Sequence, residues 1–160
     1  MMDETTKKSV LRMFTYGLFA VTATHQGELS AMTANWLSQA SFEPPMIMLA
    51  VEADSQSRRV IEAQGAFALN ILASGQRELA GQLGRASARK PDKLAGIAWR
   101  PGPTTGAPLL DDALGWLECR ATGSLPAGDH LVFVAEVVGV GLNREGQPLT
   151  MAEAGFRYSG

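Results

Sequence analysis

The sequence predicts a mainly β protein of the α+β class, an antiparallel β-barrel with a few short helices packed around it. Three observations predict this fold. Short apolar segments rich in β-branched residues recur along the 160 residues, and turn signals separate them. The 17 glycines and 8 prolines, with only 7% aromatic residues, favour many turns and short strands over long helices. Since closure into a barrel removes exposed strand edges, we expect the strands to close around one core.

Capping and turn residues set the boundaries of the individual elements. An N-terminal helix with Val10, Leu11 and Phe14 on one face stops at Gly17, and a later helix stops at Gly65. In chain order, we predict a helix over 3–14, strands over 18–24 and 28–33 around a turn at 25–27, strands over 35–41 and 46–51, a helix over 57–64, a strand over 66–72, a helix over 74–83, a strand over 97–100, two long strands over 115–125 and 130–142, and a final short strand over 156–158. The segment 85–93 is predicted as a loop or a frayed helix, and the segment 101–108 as a loop. We expect one domain over residues 1–160, because no repeat or linker of domain size is visible.

Charge and composition exclude several classes of function. The net charge is −2, from 14 Lys and Arg against 16 Asp and Glu, and no basic block is present. Nucleic acid and anionic membrane surfaces are therefore not expected as partners. One cysteine and two histidines are too few for a disulfide framework or a Cys- or His-based metal site, so no metal is expected. We expect a cytoplasmic protein, since neither a signal peptide nor an apolar run of roughly 18 residues occurs.

The sequence offers few groups for catalysis of its own. It contains no G-x-S-x-G elbow, no P-loop and no G-x-G-x-x-G segment. Cys119 lies in the apolar strand pattern GWLECRA, which predicts a buried and inert thiol. The pair Asp111-Asp112 is typical of a solvated turn or a helix cap. An enzyme with this sequence would therefore depend on a bound chemical group.

Two polar clusters stand out against this background, and the first is the segment 31–45, AMTANWLSQASFEPP. Hydrogen-bonding side chains and one indole crowd here between two apolar strands. Asn and Gln side chains both donate and accept, as the edge of a heterocycle requires, and the indole offers a planar face. An edge strand with solvated polar residues explains the same pattern. The residues concerned are Thr33, Asn35, Trp36, Ser38, Gln39 and Ser41.

The second cluster is Ser55-Gln56-Ser57-Arg58-Arg59, at the start of the predicted helix 57–64. Free N–H groups, the helix dipole, two hydroxyls and two guanidinium groups together would form a cradle for an anion or a phosphate. Ordinary N-capping beside a solvated pair of arginines explains the same residues. Together, the two clusters describe a ligand with a heteroaromatic head and a phosphate tail.

Four motifs, in their order along the chain, resemble the flavin reductase-like family with the FMN-binding split barrel. They are MTANWLSQASFEPPMIMLAV, GAFALNIL, GAPLLDDALGWLECRA and AGDHLVFVAEVVGV, with the S-x-S helix start between the first two. The resemblance covers residues 10–158. The first motif is most similar to the flavin reductase modules fused to flavodiiron proteins and to their stand-alone relatives. The fold implied is a Greek-key antiparallel split barrel with short peripheral helices.

The resemblance also implies roles for individual residues. The T-A-N segment and the strand after it face the isoalloxazine ring of FMN, the next Ala-Ser pair lines the same cleft, and the S-x-S helix start with its arginines holds the phosphate. The triplet Gly128-Asp129-His130 lies where the nicotinamide stacks, so His130 is the catalytic candidate. Many relatives carry a small serine where Trp36 stands, and this indole either stacks on the flavin, narrows nicotinamide entry or turns outward. The flavin-binding residues implied are Thr33, Ala34, Asn35, Trp36, Ser38, Ala40, Ser41, Ser55, Ser57, Arg58 and Arg59.

The activity implied is hydride transfer from NAD(P)H to FMN, with FAD possible as the flavin. Reduced flavin or its electrons would pass to a partner, such as a monooxygenase or a flavodiiron-type acceptor. A homodimer with each flavin at the subunit interface is also implied. Two alternatives remain open at this point: a non-enzymatic FMN-binding electron relay, and a split barrel that binds another ligand such as haem, or none. For His130 itself, a hydrogen-bonded structural histidine at a strand start is the alternative to a direct role.

Overall fold

The structure, a computed structural model, describes residues 1–158. None of the helices in this range is both long enough and apolar enough to cross a lipid bilayer. The elements in chain order are α1 (Glu4–Leu11), β1 (Phe19–His25), β2 (Glu28–Ala34), β3 (Leu37–Ser41), β4 (Met46–Glu52), α2 (Gln56–Gln64), β5 (Ala66–Ile71), α3 (Arg77–Leu83), β6 (Trp99–Pro101), β7 (Pro108–Leu110), β8 (Gly115–Ala127), β9 (His130–Leu142) and α4 (Met151–Ala154).

Seven strands form one antiparallel sheet in the order β2-β1-β5-β8-β9-β4-β3. Its two edge strands, β2 and β3, follow each other in sequence and are joined only by Asn35 and Trp36. In a flat sheet, strands about 4.8 Å apart would place these edges about 29 Å from each other, whereas three peptide units span about 11 Å. The sheet therefore curls until its edges meet. Within residues 1–158 no ladder pairs β2 with β3, so the barrel stays split along this seam.

Side chains of the sheet alternate between a barrel interior and a covered exterior. The interior is filled by Val21, Leu49, Phe67 and Phe133, and helix α2 closes it with Val60 and Ile61. On the exterior, α3, α4 and the segment around Leu94 pack against β1, whereas Ala107 and Leu109 of β7 and its approach pack against β5. Both strands are consequently buried on both faces, which explains their nearly continuous apolar sequences.

The β1–β2 hairpin turns at Gln26 and Gly27, where the sequence predicts a turn. Both residues have positive φ, 48° and 81°, as the two-residue type I′ hairpin turn requires. Helix α2 ends as predicted at Gly65, which adopts φ 70° and whose N–H donates to the Ile61 carbonyl. These local signals therefore fix the register of β2 and the end of α2.

Most predicted elements are confirmed, and the differences lie at the connections. The barrel is not closed by hydrogen bonds, because the seam between β2 and β3 stays unpaired. Residues 35–36 are not strand but the link across that seam. Helix α3 begins at Arg77 instead of residue 74, because Gly75 adopts φ 89°, a conformation that no α-helix accommodates.

Two short elements in the last third of the chain were not predicted. Strand β7 lies in the predicted loop 101–108 and just after it, and it is held there by the buried amide of Asn70, whose Oδ1 accepts from Leu110 N. Helix α4 replaces the predicted final strand 156–158, which has no regular secondary structure. The sequence does contain a start signal for α4: in the capping box T-x-x-E, the Thr150 hydroxyl accepts from Glu153 N.

Replacement of Ile61 by alanine tests whether α2 closes the barrel. Ile61 is fully buried among interior side chains, so Ile61→Ala should lower the free energy of unfolding by about 2–5 kcal/mol. Its neighbour Glu62 forms only an exposed i,i+4 ion pair with Arg58, and Glu62→Ala should cost less than about 1 kcal/mol. Chemical denaturation followed by circular dichroism measures both values. Equal losses would contradict the packing described here.

Candidate functional site

A cavity of about 930 Å³ opens at the barrel seam. Its walls come from the seam itself, the start of α2, the end of α3 with the loop after it, and the segment that follows α4. The barrel seam, α2, and α3 with its loop thus form three walls, and the chain after α4 forms the fourth. The lining includes Met32, Thr33, Ala34, Asn35, Trp36, Glu52, Ser55, Gln56, Ser57, Gly84, Arg85, Ser87, Lys93, His130, Phe156, Arg157 and Tyr158.

The seam residues Thr33 and Asn35 are held by hydrogen bonds to neighbouring elements. The Thr33 hydroxyl donates to the Ala80 carbonyl at 2.5 Å, which ties the end of β2 to α3. The Asn35 amide donates to Met151 Sδ and to the Tyr158 carbonyl, both at 3.3 Å. These hydrogen bonds therefore hold this wall of the cavity against α3 and α4.

Of the orientations that the sequence leaves open for Trp36, the structure has one in which the indole lines the cavity and does not turn outward. Its ring packs against His130 (centroids 4.6 Å apart) and Tyr158 (5.0 Å). The indole Nε1 is buried and has no hydrogen-bond partner among residues 1–158. One wall of the cavity is therefore aromatic, and the indole that forms it has a buried N–H group without a partner among the described residues.

Both ring nitrogens of His130 are engaged, and the residue is only 8% exposed. Nδ1 lies 2.6 Å from Asp129 Oδ1, and Nε2 lies 3.0 Å from the Tyr158 hydroxyl oxygen. The Tyr158 hydroxyl donates to Glu52 Oε1 at 2.5 Å. Burial, together with the Glu52 carboxylate, raises the pKa of Tyr158, and the bond to His130 lowers the pKa of Asp129. A chain of polar contacts thus runs from Asp129 to Glu52 along one side of the cavity.

The start of α2 supplies an end of the cavity suited to an anion. Ser55 is the N-cap, and its hydroxyl accepts from Arg58 N at 3.1 Å. The N–H groups of Gln56 and Ser57 belong to the first turn, where a helix provides no acceptor for them. Because the helix dipole is positive at this end, an anion that enters the cavity here is stabilised.

Lys93 is a cation of the cavity wall that the sequence reasoning missed. It is largely buried, and its Nζ donates to the Ala31 carbonyl at 3.0 Å. Burial lowers its pKa, while the charge of Glu52 opposes that shift. The only signal was the basic, proline-interrupted segment 85–93, which the sequence predicts as a loop. Arg85, from the same segment, also lines the cavity.

Seven of the twelve predicted site residues line the cavity: Thr33, Ala34, Asn35, Trp36, Ser55, Ser57 and His130. The two arginines do not. Arg58 pairs with Glu62 and donates from Nε to the Ala53 carbonyl, and Arg59 pairs through two nitrogens with Glu28. The two guanidinium groups are thereby engaged by carboxylates of the chain, which is the physical reason that they do not reach into the cavity.

The predicted residues of β3 also lie outside the cavity lining. Ser38 pairs with Met48 on the outer face of the sheet, and the register shifts between Gln39 and Ser41. Ser38 and Ala40 are exposed, and Ser41 is partly exposed. Because β3 is an edge strand at the seam, these side chains point away from the cavity of their own chain. Contact of Ser38, Ala40 and Ser41 with a cofactor stays a prediction.

Comparison with known proteins identifies the family. A family described as "Flavin reductase like domain" matches residues 11–160. The chain belongs to the flavin reductase-like family. It is 31% identical over 135 residues to the flavin-dependent monooxygenase reductase subunit HsaB of Mycobacterium tuberculosis, covering 84% of this chain and 70% of that protein. The resemblance of the four sequence motifs is thereby confirmed.

Two further relatives extend this finding. Diflavin flavoprotein A 1 of Synechocystis is 33% identical over 140 residues, which cover 85% of this chain and 24% of that protein. The crystal structure of BorF, the flavin reductase component of a bacterial two-component tryptophan halogenase, superposes with a TM-score of 0.85. It is 29% identical, and the match covers 97% of each chain. The predicted split-barrel fold and the flavin reductase class, an oxidoreductase, are therefore confirmed.

Proposed function

We propose that this flavin reductase transfers a hydride from NAD(P)H to FMN, or to FAD, held in the seam cavity, and that reduced flavin or its electrons pass to a partner protein. The observation that carries the proposal is one cavity with an aromatic, hydrogen-bonding wall and an anion-binding end, in a chain of this family. When bound, the flavin supplies the hydride-accepting chemistry. The chain itself binds, orients and shields the reactants. A monooxygenase or a flavodiiron-type protein is the expected class of acceptor.

The residues present fit a flavin nucleotide. The cavity volume of about 930 Å³ lies in the range of roughly 300–1,000 Å³ that small-molecule and cofactor sites occupy. The indole of Trp36 and the imidazole of His130 give the cavity an aromatic face. The seam segment Thr33-Ala34-Asn35 lies beside this indole and also lines the cavity. We assign the Thr33-Ala34-Asn35 segment to the ring system of the flavin, and the slot beside Trp36 and His130 to the nicotinamide that stacks on it.

The phosphate is assigned to the other end of the cavity. Ser57 brings its hydroxyl, Gln56 and Ser57 bring first-turn N–H groups, and Lys93 and Arg85 bring positive charge. Ser55 caps this turn, and its own hydroxyl and N–H donate to the Glu52 carbonyl. This assignment replaces the predicted role of Arg58 and Arg59, whose guanidinium groups bind Glu62 and Glu28. A bound phosphate would compensate the buried ammonium of Lys93, which has only a carbonyl partner within the described chain.

Replacement of Lys93 tests the phosphate assignment. Lys93→Met removes one charge-assisted contact and should weaken FMN binding by about 10- to 100-fold, while riboflavin, which lacks the phosphate, loses much less. Quenching of flavin fluorescence measures both dissociation constants. The matched control is Arg59→Ala, which removes a cation that Glu28 already neutralises and should leave the FMN-to-riboflavin ratio unchanged. A selective loss of FMN in the Arg59 variant alone would restore the arginine assignment.

His130 is proposed to order the nicotinamide ring of NAD(P)H. The Asp129 carboxylate fixes the imidazole through Nδ1, and Trp36 holds its face. A fixed imidazole and an indole beside the cavity wall define a planar slot for an aromatic ring. No proton transfer by His130 is required, because hydride transfer needs orientation more than acid or base catalysis.

Replacement of His130 by alanine should slow reduction of bound flavin by NAD(P)H by about tenfold or more and leave the affinity for FMN unchanged, because the imidazole contacts only the nicotinamide side. Anaerobic bleaching of the visible flavin absorbance after addition of NADH or NADPH measures the rate. His25→Ala, at the exposed β1–β2 turn, is the control. Wild-type protein that binds FMN but is not bleached would instead support the electron-relay alternative, and failure to bind flavin would contradict the proposal.

A homodimer is proposed on the outer face of the sheet beside the seam. On β9, Val134 pairs with Met48 of β4. Val132, also on β9, lies between Ala50 of β4 and Leu125 of β8. Because Leu49 and Phe133 between them point inward, these side chains form one outward apolar face. An outward apolar face of this kind is typical of a subunit interface. Ala50 also lines the cavity, so a second copy would approach the flavin.

The dimer would also account for the residues of β3 that lie outside the cavity. Ser38 stands beside Met48 on the same outer face. In a symmetric pair, this face is buried against its equivalent, and residues near the axis reach the partner's site. Contact of Ser38, Ala40 and Ser41 with flavin would then be made across the interface. We further place the protein in the cytoplasm, where its single cysteine, Cys119, stays reduced.

Substitution of Met48 by glutamate should convert a dimer into a monomer. Met48 is 42% exposed in the single chain, so the chain tolerates a charge there, whereas a symmetric interface would bury two carboxylates. Sedimentation equilibrium or light scattering gives the mass. Val10→Glu, on the exposed α1, adds the same charge outside the face and should leave the dimer intact. A wild-type monomer, or a dimer that persists in Met48→Glu, would disprove this interface.

A further inference from the structure

We propose that Tyr158 is a built-in competitor of the nicotinamide: its phenol ring fills the slot beside Trp36 and His130, and it leaves when the nicotinamide ring of NAD(P)H binds. This proposal rests on the proposed function. It assigns to the segment after α4 a regulatory role, since the fraction of molecules with an open slot would set the apparent affinity for NAD(P)H.

The first argument is that His130 is not accessible in this structure. Its two ring nitrogens contact Asp129 and Tyr158, its face packs on Trp36, and only 8% of its surface is exposed. Of these neighbours, Tyr158 alone follows α4 instead of lying in or directly beside a strand of the sheet. A ligand that contacts His130 Nε2 must therefore displace the Tyr158 hydroxyl.

The second argument is that the slot offers a nicotinamide ring what it offers the phenol. Trp36 packs on the Tyr158 ring at 5.0 Å and 55°, and Glu52 Oε1 accepts from its hydroxyl. A nicotinamide ring is also planar, and its carboxamide has N–H groups for the same carboxylate. A nicotinamide ring can therefore make the same two contacts in the slot as the phenol ring does: packing on Trp36 and a hydrogen bond to Glu52.

The third argument is that Tyr158 can leave without unfolding its surroundings. Helix α4 is anchored by Arg77, whose Nε donates to the Ala154 carbonyl at 2.6 Å and whose guanidinium lies 5.2 Å from the Phe156 ring. Over residues 157–158, the backbone hydrogen bond to the rest of the described chain is the 3.3 Å bond from Asn35 to the Tyr158 carbonyl. Tyr158 is itself 39% exposed. Release of Tyr158 therefore breaks this bond and the contacts of its ring and hydroxyl with Trp36, His130 and Glu52, while the contacts that anchor α4 are kept.

The binding experiment uses NAD⁺ as an unreactive probe on the FMN-loaded protein. Tyr158→Ala should bind NAD⁺ about five- to tenfold more tightly than wild type in calorimetry, because no ring has to be displaced. Tyr158→Phe, which loses only the hydroxyl contacts, should fall between the two. Unchanged or weaker binding by Tyr158→Ala would overturn the proposal and make Tyr158 part of the nicotinamide site.

The second experiment follows the tyrosine ring directly and does not depend on activity. The chain contains two tyrosines, so ¹³C-labelled tyrosine gives two sets of ring signals, and Tyr16→Phe assigns them. In the closed slot, the Tyr158 signals are displaced by the ring current of Trp36. Addition of NAD⁺ should move them to the positions of a solvated tyrosine, whereas AMP, which lacks the nicotinamide, should not.

The outcomes separate this proposal from the proposed function. NAD⁺ that binds without moving the Tyr158 signals would overturn the competitor role even if the enzyme reduces flavin normally. Conversely, Tyr158 signals that move with NAD⁺ and tighter binding by Tyr158→Ala would support the competitor role even if no variant oxidises NADH. In that case, the proposed flavin reduction would fail and the slot would remain a nicotinamide-binding site.

Discussion

The link of two residues between β2 and β3 is the constraint on which the rest of the structure depends. It joins the two outermost strands of a seven-stranded sheet, so the sheet can form only by curling on itself. The same residues, Asn35 and Trp36, then stand where the curled edges meet. Because the edges do not pair, a gap remains at this line, and the cavity occupies it. Fold and site are therefore consequences of one short connection.

This geometry explains why the cavity wall carries so many polar groups without destabilising the core. The barrel interior is apolar and is closed by α2, whereas the seam leaves the backbone and side chains of two edge strands without sheet partners. Two of these side chains bond to the peripheral helices instead: the Thr33 hydroxyl donates to the Ala80 carbonyl of α3, and the amide of Asn35, in the link, donates to Met151 of α4. The peripheral helices thus replace the missing ladder at the seam.

The sequence predicts those parts of the fold that rest on local signals. Apolar alternation, the turn at Gln26-Gly27 and the stop at Gly65 place most strands and α2 correctly. The motif MTANWLSQASFEPP contains the segment 33–36, which lines the cavity. The sequence could not show that Arg59 is neutralised by Glu28, 31 residues earlier, or that Lys93 reaches the Ala31 carbonyl. Both depend on contacts between segments distant in sequence, which neither propensity nor periodicity encodes.

The single cysteine and the titratable groups around the cavity are consistent with an enzyme whose reactivity comes from a bound cofactor. Burial raises the pKa of Cys119 to about 12, so its thiolate is not available near neutral pH. Around the cavity, Asp129 and Tyr158 have pKa values displaced away from neutrality, downward for the carboxyl group and upward for the phenol. Neither group is therefore suited to exchange a proton during turnover. Hydride transfer from a nicotinamide to a flavin makes no such demand, and it asks of the protein what this cavity offers: an aromatic slot beside Trp36 and His130, and a helix N-terminus suited to an anion.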